Sequence, residues 1–88
     1  MAVYSVTYDL KKQGQDYSGL ITKLESLNSF KYQQSAWLIK STLTGTGVSD
    51  LLKPFIDTND WLLVIEVINN KAGWLPKNSW LEINKLFN

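Results

Sequence analysis

The sequence contains no cysteine, no histidine and no arginine, and each absence excludes a class of function. Without cysteine there is neither a disulfide framework nor a thiolate metal site. Without histidine the chain lacks the commonest general base and the usual zinc ligand, so triads of the Ser-His-Asp or Cys-His type are excluded. Without arginine, bidentate recognition of a phosphate or a guanine by an arginine side chain is impossible.

Long apolar runs and a strong net charge are also missing. The longest apolar run covers residues 61–65, far too short to span a bilayer. The N-terminal residues do not combine a charged region with a long apolar core, so they do not read as a signal peptide. Nine lysines and eight acids give a net charge of +1, with no basic run typical of nucleic-acid binding. We expect a cytoplasmic protein with no membrane partner.

The composition that remains is that of one small globular domain. The chain has 88 residues, of which 44% are hydrophobic. A chain of this size buries only roughly 60% of the surface that its unfolded form exposes, so a monomer has little stability to spare. Because an oligomer is stabilised by association, we expect a homodimer or a larger assembly.

The first strand organises the chain. Residues 3–10 are rich in tyrosine, valine and threonine, which favour a β-strand. The period of two places Tyr4, Val6 and Tyr8 on one face, predicted to pack under helices. Val3, Ser5, Thr7 and Asp9 lie on the other face, so Asp9 ends the strand on a semi-polar surface.

The remaining elements follow from hydrophobic spacing and from turn residues. Apolar residues at helical spacing predict a helix over residues 17–27 with Asp16 as its N-cap, and a second helix over residues 48–56 that Pro54 shortens. Residues 30–34 and 35–41 are two strands joined by a tight turn or a bulge near residues 33–34, or one long bent strand. Residues 42–47 are a loop, and residues 57–60 are a turn in which Asp57 and Asp60 are cap or turn residues. Residues 61–68 are a strand, and a short helix near the C-terminus has Asn78 as its candidate cap.

The order of these elements predicts an α+β, ferredoxin-like βαββαβ fold with a four-stranded antiparallel sheet. Its core covers residues 1–68, and residues 69–88 form a tail with a short helix. Strand 61–68 is apolar on both faces, which predicts that it is a central strand of the sheet. Trp61 and Trp37 are accordingly predicted to lie in the core. Both long helices cover one face of the sheet, so the other face requires a second subunit or the tail.

Three segments resemble those of the small CRISPR-associated adaptation nucleases: Tyr8-Asp9-Leu10 at the end of the first strand, Gln34-Ser35-Ala36-Trp37-Leu38-Ile39, and Leu62-Leu63-Val64-Ile65-Glu66. This resemblance covers residues 1–68. The chain also resembles small uncharacterised bacterial and phage proteins, and this second resemblance covers nearly the whole chain. These share the first-strand motif, a Lys-x-Gly-Gln segment at residues 12–15, a Ser-x-Trp-x-Ile segment and an Asn-Asp-x-Leu-Leu-Val segment.

The first resemblance implies a homodimer whose subunits meet through their sheets, with Asp9 close to its symmetry mate. Asp9 is then the catalytic residue and the metal ligand. Paired carboxylates can hold a divalent ion such as Mg²⁺, which activates water against a phosphodiester, as in a metal-dependent endoribonuclease. The alternative from the residues alone is that Asp9 caps the loop that follows it.

Other residues are candidates for ligand binding. Lys11, Lys12, Gln13 and Gly14 can cradle a phosphate ahead of a helix, or form a solvated loop. The Thr- and Gly-rich residues 41–47 can form an anion-binding nest, or a flexible connector. Trp74 can line a ligand site or a dimer interface, and Tyr8 can donate a hydrogen bond to a ligand although its parity directs it toward the helices.

These observations leave three hypotheses. The first is a homodimer that binds a nucleotide or a nucleic acid and resembles the adaptation nucleases, with metal-dependent phosphodiester cleavage at Asp9. The second is a non-enzymatic protein that sequesters a small signalling nucleotide, as a phage protein directed against host defence does. The third is a dimer that binds another protein. Basic residues that are all lysine, together with the lack of catalytic side chains, favour binding over cleavage.

Overall fold

A computed structural model describes residues 1–11 and 16–88 of the chain. Its strands are β1 (Ala2–Asp9), β2 (Ser29–Gln33), β3 (Ala36–Ser41) and β4 (Trp61–Val67). Its helices are α1 (Ser18–Glu25), α2 (Gly45–Leu52) and α3 (Lys77–Phe87), with a 3₁₀ turn at Lys53–Phe55. Within these described residues, no helix has both the length and the apolar character needed to cross a membrane.

The four strands form one antiparallel sheet in the order β2-β3-β1-β4. Val6 of β1 lies opposite Trp37 of β3 on one side and opposite Val64 of β4 on the other. This order and the alternation of strands and helices confirm the ferredoxin-like α+β prediction. The prediction that strand 61–68 is central is wrong, because β4 is an edge strand and β1 occupies the centre.

The first hydrophobic core lies between the sheet and helices α1 and α2. It contains the even-numbered residues of β1, as the alternation predicted, and the helical stripe of α1. The fully buried members are Val6, Leu20, Leu24, Ile39, Val48 and Leu52, with Tyr4 and Trp37 beside them. Trp37 donates its indole N–H to the Tyr8 hydroxyl at 3.1 Å, so the polar atom of this core tryptophan is satisfied.

The second hydrophobic core lies on the opposite face of the sheet, beneath α3. Its buried residues are Val3 and Leu38 from the sheet and Ile83 and Leu86 from the helix. The sequence left open whether the tail covers its own sheet or that of a neighbour. In the structure α3 packs on the sheet of its own chain, against β2 and β3, and it leaves part of β4 uncovered.

Strands β2 and β3 form a hairpin rather than one bent strand. The ladder shifts register between Lys31 and Gln33, which is a bulge, and Ser35 in the turn has a φ of 58°. A tight turn and a bulge therefore both occur where the sequence offered either. Tyr8 donates its backbone N–H to the Ser35 carbonyl oxygen at 3.2 Å, which ties the turn to the central strand.

The ends of the helices differ from the sequence prediction at several positions. Helix α2 begins at Gly45, inside the predicted loop, because the Thr44 hydroxyl accepts a hydrogen bond from the Gly47 N–H at 3.1 Å and caps the first turn. It ends at Leu52, since Pro54 permits only a 3₁₀ turn. Asn78 lies within α3, whose N-cap is Pro76, so the prediction of Asn78 as a cap is wrong.

Asp16 was predicted to be the N-cap of α1, but it lies one residue before the N-cap and still bonds to the first turn. The N-cap residue is Tyr17, but the Asp16 carboxylate accepts a hydrogen bond from the Ser18 N–H at 2.9 Å. This backbone hydrogen bond, with a weaker one from the Ser18 side chain, lowers the pKa of Asp16 below its usual value.

The lowered pKa of Asp16 gives a prediction about pH dependence. Because the folded state favours the ionised carboxylate, its stabilisation is present above the unfolded pKa of about 3.9 and is lost as the pH falls through the folded value. Asp16→Asn is expected to abolish this part of the acid sensitivity. NMR titration of the Asp16 carboxyl group checks the direction directly, and a midpoint above about 4 contradicts it.

Candidate functional site

The candidate site lies where β1 ends beside the start of β4. Asp9 is the last residue of β1 and lies opposite Trp61 in the antiparallel ladder. Its side chain is 58% exposed, and its Oδ2 atom lies 2.7 Å from the Lys11 ammonium nitrogen. The structure therefore places Asp9 as predicted, at a strand end and accessible to solvent, with a lysine as its ion-pair partner.

Trp61 is the second component of the site, and the sequence did not identify it. The prediction that Trp61 is a core residue is wrong, because its side chain is 67% exposed. The Lys11 ammonium nitrogen lies 4.0 Å from the centre of the Trp61 ring, a cation–π contact. Asp9, Lys11 and Trp61 thus form one contiguous surface that combines a carboxylate, a cation and an aromatic ring. We refer to these three residues as the Trp61 platform.

A buried carboxylate holds the backbone around the Trp61 platform. Asp60 is only 8% exposed, and its Oδ1 atom accepts hydrogen bonds from the Lys11 backbone N–H at 2.8 Å and from the Tyr17 hydroxyl at 2.9 Å. Its Oδ2 atom accepts the Asp57 backbone N–H at 2.7 Å. Asp60 therefore joins the segment after β1, the start of α1 and the turn before β4.

Asp57 and Asp60 were predicted as turn residues, and the structure confirms this. The Asp57 carbonyl oxygen accepts a hydrogen bond from the Asp60 N–H at 3.0 Å, and the Asp57 carboxylate accepts one from the Asn59 N–H at 3.1 Å. The additional role of Asp60 could not be read from the sequence, because its partners Lys11 and Tyr17 are distant along the chain. The turn fixes where β4 starts and thus where Trp61 lies.

Tyr8 and Trp74, the other predicted ligand-binding residues that the structure describes, do not join this surface. The Tyr8 hydroxyl is bonded to Trp37 in the core on the opposite face of the sheet. Trp74 is fully exposed, in the segment that follows the far end of β4. Lys12, Gln13 and Gly14, with Gln15, lie outside the described residues. In the Thr- and Gly-rich segment, the hydroxyls of Ser41 and Thr44 accept the backbone N–H groups of Leu43 and Gly47, as in a turn and a helix cap.

An exposed apolar stripe continues from the Trp61 platform along β4. Leu63 and Ile65 lie on the same face as Trp61, and each is more than half exposed. We refer to Trp61, Leu63 and Ile65 as the β4 stripe. Two signals in the sequence could have located it: the last strand of a ferredoxin-like fold lies at an edge, and the odd-numbered residues of β4 share the face of Asp9.

The metal-binding prediction depends on Asp9 alone. In residues 1–11 and 16–88, no group of three or more histidine, cysteine, aspartate or glutamate side chains is placed to hold a metal ion. The Lys11 ammonium already neutralises the Asp9 carboxylate, so a cation at Asp9 would have to compete with it. Asp9 as an Mg²⁺ ligand stays a prediction.

Comparison with known proteins adds no family to this description. No protein-family model matches the chain, and no curated protein matches it. The resemblance to the adaptation nucleases accordingly stays a prediction, and the geometry of the described residues is the basis for a functional proposal.

Proposed function

We propose that this chain is a nucleotide-binding protein that acts as a homodimer, with the Trp61 platform as its nucleotide site. The observation that carries the proposal is an indole ring that is largely exposed at a strand end, with a lysine ammonium over the ring and an aspartate paired with that lysine. Nucleobases stack on exposed aromatic rings, and the stacking contributes about 1–3 kcal/mol per base. An exposed tryptophan in such surroundings is a surface suited to a base.

The two charged groups of the Trp61 platform match the other parts of a nucleotide. The Lys11 ammonium is a donor and a positive charge for a phosphate. The Asp9 carboxylate accepts hydrogen bonds from an exocyclic amine of a base or from a ribose hydroxyl. A net charge of +1 suits a small nucleotide better than a long polyanion, whose binding depends on many cations.

The first prediction from this proposal concerns Trp61→Ala. Removing the stacking surface is expected to weaken nucleotide binding by about tenfold to a hundredfold. Isothermal titration calorimetry against mono-, di- and cyclic nucleotides, with EDTA present, measures the affinity without a metal. Trp74→Ala is the matched control, since Trp74 is fully exposed but far along the chain from Asp9 and Lys11, and it is expected to leave the affinity unchanged.

Equal losses in the two tryptophan variants, or no binding of any nucleotide tested, would contradict the proposal. Asp9→Asn separates binding from cleavage in the same experiment. On the binding proposal this variant retains nucleotide affinity within about fivefold, since one acceptor oxygen remains. An RNA product that forms only with Mg²⁺ and disappears in Asp9→Asn would replace simple binding by the metal-dependent nuclease function.

The homodimer is supported by β4 itself. One edge of β4 pairs with β1, and along its seven residues the other edge pairs with no strand of residues 1–11 and 16–88. An exposed strand edge bordered by apolar side chains is a template for another strand. Antiparallel pairing of β4 with its copy across a twofold axis near Val64 brings Leu63 and Ile65 of both copies together. Trp61, at the end of the strand, stays at the rim of that interface.

Ile65→Lys is the corresponding prediction for the dimer. It places an ammonium group opposite the apolar Leu63 of the other copy, and the two introduced lysines lie diagonally across the twofold axis, so strand pairing is destabilised. We expect the wild-type protein to sediment as a dimer and the variant as a monomer in analytical ultracentrifugation. Leu81→Lys is the matched control, because Leu81 is equally exposed but lies on α3, outside the β4 stripe. A monomeric wild type, or a dimer that survives Ile65→Lys but not Leu81→Lys, contradicts pairing through β4.

A further inference from the structure

A second concave surface lies on the α3 side of the sheet, away from the Trp61 platform. It is a cavity of about 250 Å³ between the sheet, the segment after β4 and helix α3. Its walls include the rings of Tyr32, Trp80 and Phe87, and Leu38 and Ile83 supply aliphatic surface. Aromatic and aliphatic walls of this kind are typical of small-molecule sites.

Polar groups are few in this cavity, and they include the Asn70 amide, which both donates and accepts hydrogen bonds. The hydroxyls of Ser5 and Tyr32 lie 3.1 Å apart, and since only one proton is shared between them, the second hydroxyl proton is available to a ligand. Trp80 uses its indole N–H in no hydrogen bond with the described part of the chain, so this donor is also available. Lys71 carries the only charge among the described residues that line the cavity, and its ammonium lies 5.2 Å from the Phe87 ring centre.

We propose that this cavity binds a small aromatic carboxylate. The ring of the ligand lies among Tyr32, Trp80 and Phe87, and its carboxylate points to the Lys71 ammonium at the rim. The volume of about 250 Å³ lies just below the range of typical ligand pockets, which is about 300–1,000 Å³, so the cavity suits one ring or two fused rings rather than a larger molecule. The one charged group among the described residues that line the cavity is the positive Lys71 ammonium, so a charged ligand that lies beside it is an anion.

This site is independent of the proposed nucleotide site. The cavity is reached past Val67 and Ile68 at the end of β4, whereas the Trp61 platform lies at its start. Seven strand residues at about 3.3 Å each separate the two ends by roughly 20 Å. The four tryptophans report on different places: Trp37 in the core, Trp61 at the platform, Trp80 at the cavity and Trp74 in solvent.

Titration of the ¹⁵N-labelled protein with indole-3-acetate, followed by NMR, tests the proposal. Four indole N–H signals, identified by single substitution, show which tryptophan responds. We expect the Trp80 signal to move with a dissociation constant in the millimolar range or below, while those of Trp61 and Trp74 stay in place. Indole, which is neutral, and tryptamine, which is a cation, are expected to bind at least about fivefold more weakly, because they lack the carboxylate.

Lys71→Gln is expected to weaken indole-3-acetate binding by about threefold to tenfold. Lys77→Gln removes an exposed lysine that does not line the cavity and is expected to have no effect. Absence of binding at millimolar concentration, a response at Trp61 instead of Trp80, equal affinity for tryptamine, or equal effects of the two lysine variants would each overturn the proposal. None of these results depends on whether nucleotides bind to Trp61.

Discussion

Asp60→Ala is expected to lower the free energy of unfolding by about 3–5 kcal/mol, the largest effect of any exchange of a polar residue in this fold. The substitution removes the acceptor for the Lys11 and Asp57 N–H groups and for the Tyr17 hydroxyl, in a place that is only 8% exposed. Hydrogen bonds to a charged group each contribute about 1.5–3 kcal/mol. Since small domains are stable by about 5–15 kcal/mol, the variant is close to unfolding at ambient temperature.

Urea denaturation of three variants tests this prediction. Asp60→Asn retains one acceptor oxygen and is expected to lose about 1–3 kcal/mol. Asp50→Ala removes an exposed carboxylate paired with Lys53 at 3.3 Å and is expected to change stability by less than about 1 kcal/mol. A loss for Asp60→Ala no greater than that for Asp50→Ala would show that the carboxylate does not connect the three segments.

The second large effect is expected from Ile83→Ala in α3. Ile83 is 4% exposed and packs in the second core with Val3 and Leu38. Truncation of a buried isoleucine removes transfer free energy and leaves a cavity, at a cost of about 2–5 kcal/mol. Leu81→Ala, on the exposed side of the same helix, is expected to cost less than about 0.5 kcal/mol.

Ile83→Ala also tests whether α3 packs on the sheet of its own chain or on that of a neighbouring copy. In the Ile65→Lys background, where we expect a monomer, the loss from Ile83→Ala should be the same at low and high protein concentration, because α3 packs on the sheet of its own chain. Denaturation at two protein concentrations tenfold apart measures this. A loss that vanishes in the monomeric background would mean that α3 stabilises a neighbouring sheet.

The order of elements could be predicted from the sequence because each has a strong local signal. Alternation in β1 identified both of its faces, and the spacing of Leu20 and Leu24 identified α1. The position of β4 in the sheet could not be deduced from its composition. The same apolar composition occurs in central strands and in edge strands that expose one face. The order of the strands depends on pairing between residues that are distant along the chain.

Only the part of the site that a single residue identifies could be predicted from the sequence. Asp9 was recognised since a carboxylate at a strand end is visible in the sequence. Trp61 was missed because large aromatic residues are most often buried, and only the edge position of β4 exposes this one. Asp60 was read as a turn residue, which it is, but its hydrogen bonds to Lys11 and Tyr17 depend on how the chain folds back.

The central position of β1 has a consequence for synthesis of the chain. β1 is synthesised before both of its sheet partners, β3 and β4, and β4 is the last of the four strands. Until β4 has emerged, the central strand keeps an open edge, and its apolar residues lack part of their cover. The sheet is therefore complete only after residue 67 has left the ribosome, since the pairing of β1 with β4 joins the first strand of the sheet to the last.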